Sequence, residues 1–141
     1  KLCPMAPKKA PDYLKATDGI MGTVGRNVRV KWLEMAVAFG PSKERNTMYL
    51  KELIDYVSIS YEFRTRVYAA EALGRLNFCS EGLLENLFDA IGSANGRLSR
   101  PCGAVLRSLT TNPNFKVMAE KTLNESKISD ALKAKVQRYL N

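Results

Sequence analysis

The chain has 141 residues, a formal net charge of +8, 45% hydrophobic and 26% charged residues. This is the composition of one ordinary globular domain, long enough to bury about two-thirds of its unfolded surface, and not that of a tail or linker. It contains no histidine, which excludes Ser-His-Asp chemistry, His-containing zinc sites, His-ligated haem and the usual proton shuttle of neutral pH.

The three cysteines, Cys3, Cys79 and Cys102, are odd in number and far apart. They suit neither a disulfide framework nor a paired-thiolate metal site, so reduced thiols and no metal or cofactor are expected. No apolar run approaches the ~18 residues of a membrane span, so no membrane partner is expected. Lys1–Met5 lacks the apolar segment of a signal peptide, which leans the reading toward the cytoplasm, although a removed targeting segment would leave the compartment open. The sequon Asn124-Glu125-Ser126 is a pattern that arises frequently by chance.

In chain order, residues 1–11 carry three of the six prolines and three lysines, the composition of a leader or interdomain linker. Residues 12–141 are expected to form a single helical domain. Within it, residues 12–27 read as a short helix followed by a loop, because Gly19, Gly22 and Gly25 interrupt the apolar residues. Their Gly-x-x-Gly-x-x-Gly spacing is neither the dinucleotide fingerprint nor the phosphate loop.

From Asn27 onward, apolar residues recur at i, i+3, i+4 and i+7, the template of a helix face. The matches are Trp32, Met35, Ala36 and Phe39; Leu50, Leu53, Ile54 and Val57; Ala69, Ala72, Leu73 and Leu76; Leu84, Leu87, Phe88 and Ile91; Cys102, Val105, Leu106 and Leu109. Two weaker segments follow, Phe115 to Leu123 and Ile128 to Tyr139. The connections fall at Gly40-Pro41, Asn77 to Ser80, Asn95-Gly96 and Asn112-Pro113-Asn114, where Gly and Asn admit positive φ and Pro cannot continue a helix. No stretch alternates with a period of two, so an all-α fold is expected.

Thr65-Arg66-Val67-Tyr68-Ala69-Ala70-Glu71-Ala72-Leu73-Gly74 resembles the second helix of a HEAT repeat, whose pattern is Val-Arg-x-x-Ala-Ala-x-Ala-Leu-Gly; Thr65 departs from it. Looser copies start at Val28-Arg29 and Arg97-Leu98, offset from Arg66 by 37 and 31 residues, near the lower end of helical-hairpin repeat lengths. The small residues allow close helix packing, and the Arg near the helix start can bond turn carbonyls or acids of the adjacent unit. The resemblance implies a right-handed stack of about three antiparallel helical hairpins of HEAT or armadillo type, with atypical first and last units. An irregular helical bundle is the alternative. The Asn95-Gly96-Arg97-Leu98 stretch followed by Pro101, after two helices, also resembles the C-terminal helical-repeat region of gluzincin-type aminopeptidases over roughly residues 46–109. That family's zinc motif needs two histidines, so its catalysis does not carry over; the resemblance would make this an accessory domain.

Any enzyme here would depend on carboxylates, Cys, Ser, Lys or Tyr. Glu81, Glu85 and Asp89 share one helix face, but they line up along it rather than converge across a cleft as a carboxylate pair must. Cys102, with only Arg100 nearby in sequence to activate it, fits a core role better. A non-catalytic chain is therefore expected. The cationic excess carries the functional expectation: Arg97, Arg100 and Arg107 fall within a helical sector of about 80°, and Arg64, Tyr68, Glu71 and Arg75 share a face of the preceding second helix. Second helices of stacked repeats usually line the inner surface. Arg64, Tyr68, Arg75, Arg97, Arg100 and Arg107 are thus expected to bind an acidic protein segment or, alternatively, a nucleic-acid backbone.

Overall fold

The computed structural model describes residues 22–40 and 42–140. Over these residues the protein is all helical, with seven helices and no strand: α1 (Thr23–Phe39), α2 (Lys43–Tyr56), α3 (Phe63–Arg75), α4 (Glu81–Ile91), α5 (Gly96–Leu109), α6 (Pro113–Glu125) and α7 (Asp130–Gln137). The expected leader 1–11 and the first residues of the expected domain lie outside the described residues.

The helix starts follow capping chemistry that the sequence displays openly. The side chains of Ser42, Glu62, Ser80, Asn95, Asn112 and Ser129 each accept a hydrogen bond from a backbone amide of the helix they precede, satisfying donors that have no partner inside the helix. Pro113 occupies the first turn of α6, where its missing amide is no loss. Asn77, at φ 52°, makes the left-handed turn after α3, a conformation Asn tolerates better than most residues.

The helices sort into two layers. Helices α1, α3 and α5 pack on one another, α2 and α4 form part of a second layer continued by α6, and α1 also pairs with α2, α2 with α3, and α4 with α5. Helices α1 and α3 run parallel, because the start of α3 meets the start of α1 through a Thr65 Oγ1 donation to Asn27 Oδ1 at 2.7 Å, while Arg75 reaches Glu34 further along. The same holds for α3 and α5: Phe63 faces Arg97 at their starts, and Gly74 faces Val105 toward their ends. A Cβ at Gly74 would meet Val105 at 3.4 Å, so the absent side chain sets how closely these two helices approach.

One cluster of buried side chains runs from Val30 to Val136, with Phe88, Leu33, Leu53, Leu73, Leu84 and Leu106 among its largest members. Three expectations are corrected. Helix α1 begins at Thr23, four residues before the expected Asn27, and contains Gly25. On α1 the buried face holds Val30, Leu33, Met35 and Ala36, while Phe39 is 65% exposed, because it ends the helix beyond the reach of α2. In α5 the buried residues Leu98, Ser99, Cys102, Gly103, Val105 and Leu106 repeat Thr65, Arg66, Ala69, Ala70, Ala72 and Leu73 of α3 at an offset of 33 residues, two more than the sequence match.

Candidate functional site

Arg66, the arginine of the stretch that resembles a HEAT second helix, is the most demanding buried residue of α3. Arg66 is only 5% exposed, and a buried guanidinium is tolerated only when paired and hydrogen-bonded. Its Nε donates to the Val57 carbonyl at 2.8 Å and its Nη2 to Asp89 Oδ2 at 2.9 Å, tying α3 to the end of α2 and to α4. Arg29, its counterpart in the earlier copy, pairs with Glu52 through both guanidinium nitrogens. Each Arg finds its acid 23 residues downstream. At the third copy Ser99 and Thr122 stand at the same separation, both buried. The buried Thr65 hydroxyl is satisfied by its donation to Asn27.

Glu52 also accepts from the Tyr56 hydroxyl at 2.7 Å. Burial alone would raise its carboxyl pKa, yet the hydrogen bonds from Arg29 and Tyr56 and the Arg29 charge prevail and hold it below the ordinary value. Burial and the neighbouring Glu52 push the Tyr56 phenol well up. Of the described thiols, burial raises Cys79 to about 11 and Cys102 to about 12, leaving both protonated near neutrality. Among the described residues no group of three His, Cys, Asp or Glu side chains could hold a metal ion, and no helix is long and apolar enough to cross a membrane.

Charge is divided between the layers. Helices α1, α3 and α5 hold nine Lys/Arg and two Asp/Glu, whereas α2, α4 and α6 hold five Lys/Arg and eight Asp/Glu. Helix α5 has no acid and α4 has no base. Glu81, Glu85 and Asp89 of α4 are exposed in a row along its surface, facing no second carboxylate cluster across a cleft.

All six expected binding residues lie on adjacent helices α3 and α5 of the basic layer and are exposed, but they separate into distinct settings. Arg64 and Arg97 share the Phe63 ring, their guanidinium carbons 4.9 and 5.3 Å from its centroid. Tyr68 carries Lys31 of α1 over its ring at 6.0 Å. Arg75 pairs with Glu34 of α1 through two bonds of 2.8 Å, so its charge is partly answered. Arg100 folds back until its guanidinium lies over Gly96, where a Cβ would meet it at 3.0 Å. Arg107 turns away from α3 toward the C-terminal tail, donating to the Arg138 carbonyl at 2.9 Å and stacking on Tyr139. Between α3 and α5 runs a shallow groove of about 340 Å³ lined by Glu71, Arg75, Pro101, Ala104 and Ser108.

The structure adds residues the sequence reading left out. Arg26 stacks on Tyr61 at 5.3 Å. Arg26 was placed in a glycine-interrupted loop, and only the recognition that α1 starts at Thr23 brings it onto the basic face. Phe63 was passed over because one aromatic at a helix start carries no signal until its two arginine neighbours are in place.

Comparison of the chain with family models, curated proteins and solved structures finds no match.

Proposed function

We propose that this domain is a non-catalytic, HEAT- or armadillo-like binding module whose α1/α3/α5 layer docks an acidic segment of a partner protein. The division of charge between the two layers carries the reading: with Arg29 and Arg66 turned to the other layer, α1, α3 and α5 still carry seven bases against two acids, a balance that attracts and orients polyanionic chains. The repeated Arg–acid pairs at a common separation support the helical-repeat kinship, and the side-by-side parallel helices α1, α3 and α5 form the surface that such stacks turn inward. Stacking on Phe63 pre-orders Arg64 and Arg97, and their planar forks suit carboxylates. Nucleic acid fits less well, because Glu34 and Glu71 interrupt the face and Tyr68 is the aromatic within the patch best exposed for base stacking.

The test is fluorescence anisotropy with a labelled Glu/Ser peptide and with single- and double-stranded oligonucleotides over a salt series. The expected result is peptide binding that weakens with salt, is lost in R97E/R100E, and persists in the α2 control K43E/R45E. Oligonucleotide binding with a steep salt slope and no peptide binding would replace the proposal with the nucleic-acid reading.

A further inference from the structure

The basic layer has a polarity of its own. Its arginine–aromatic contacts gather at one edge, where the first turns of the parallel helices α1, α3 and α5 lie side by side. Arg26 of α1 stacks on Tyr61, and Arg64 of α3 and Arg97 of α5 stack on Phe63. Tyr61 and Phe63 are partly buried against the core, so the rings are fixed supports rather than loose side chains. The two guanidiniums on Phe63 lie within about 10 Å of each other.

Two carboxylates are already present at this edge. Glu62 accepts the Arg64 backbone amide at 3.0 Å as the α3 cap and touches the Arg64 guanidinium at 3.3 Å, and Asp55 accepts from the Tyr61 hydroxyl at 3.2 Å. Among the described residues neither Arg26 nor Arg97 makes an ion pair. Three arginines from the three helices of this layer are therefore held at one edge, Arg64 paired with Glu62 at the exposed surface and Arg26 and Arg97 in no ion pair among the described residues.

Resting on the reading of the layer as an acid-binding face, we infer that the edge formed by Arg26, Arg64 and Arg97 reads an extended acidic peptide that crosses the helices. Packed helices stand about 8–10 Å apart, and an extended chain of the polyproline II type has three residues per turn and advances about 3.1 Å per residue, so carboxylates at every third residue fall on one face about 9 Å apart and match successive arginines. A helical peptide presents acids at this spacing only about 4.5–6 Å apart and cannot span the row. The ligand class is thus an extended segment with acids at i, i+3 and i+6.

Two labelled peptides of identical composition distinguish the outcomes, one with Glu at every third position among Ser and Gly, the other with the same Glu residues in one block. The spaced peptide is expected to bind at least several-fold tighter, with R26A, R64A and R97A each weakening it by about two- to fivefold and K43A in α2 leaving it unchanged. Circular dichroism of each variant separates lost contacts from lost fold. Equal binding of both peptides, or insensitivity to the three substitutions, would overturn the edge assignment while leaving the acid-binding face standing. Failure of both peptides to bind would remove the parent reading as well.

Discussion

Arg29 and Arg66 show how single residues tie the layers together. Both span from the basic layer to an acid 23 residues downstream, but their surroundings differ: Arg66 is buried, while Glu52 sits in a mixed site with Arg29 and Tyr56. Truncating Arg66 to Ala removes the donor to the Val57 carbonyl and is expected to cost about 1–3 kcal/mol, measurable by urea unfolding. Asp89→Asn should cost less, because Asp89 is half exposed and water can take the place of the lost partner. The depressed Glu52 carboxyl makes stability depend on pH. Its contribution is fully present above the ordinary value of 4.5, where both states are ionised. It is lost as pH falls through the lower folded value, because the unfolded chain takes up the proton first. Thermal melts from pH 6 downward should show this loss in the wild type and a weaker one in E52Q.

Helices were legible because their signals are local. Apolar spacing and the Gly, Asn and Pro punctuation of the connections located five of the core-bearing segments, and each corresponds to a helix of the structure. Legibility failed where tertiary contacts decide. Gly25 is a poor helix former, yet α1 extends back through it, because the same helix buries Val30 and Leu33 fully against its neighbours. Sequence resemblance aligned Arg97 with Arg66 at an offset of 31 residues, whereas the buried set of α5 follows that of α3 at 33, with Ser99 buried and Arg97 exposed. The six site residues were legible as exposed positions of α3 and α5, since helical periodicity fixes exposure; their separate settings were not, because Glu34, Lys31 and Tyr139 come from other elements and Phe63 of α3 reaches Arg97 of α5. At this scale α5 ends in a latch. A Cβ on Gly103 would stand 2.4 Å from the Tyr139 ring, so Gly103→Ala should push the tail off α5. Overpacking costs about 1–3 kcal/mol, and the better helix propensity of Ala returns up to about 1 kcal/mol. A net loss in stability with faster amide exchange at residues 138–140 is therefore expected; a stabilised variant would refute the latch. Phe88→Ala, at the centre of α4, should cost about 3–5 kcal/mol by the same unfolding measurement.

Across the whole molecule, one core fixes the two layers and the layers separate the charge. The basic layer is built of helices whose inner faces carry small residues, Ala69, Ala70, Ala72, Cys102 and Gly103, which let parallel helices approach and bring their outer arginines into one surface. The acidic α4 lies on the opposite layer, where its charges anchor Arg66 and otherwise meet solvent. Because both described thiols are buried and protonated, native protein should react slowly with a thiol reagent at pH 7.5 and rapidly after unfolding. The most direct test of the charge-division account is amide chemical-shift mapping during titration with an acidic Glu/Ser peptide at low salt. Perturbations confined to α1, α3 and α5, strongest around Arg26, Arg64 and Arg97 and abolished by added salt, are the predicted result. Shifts centred on α2, α4 or α6, or none at all, would contradict it.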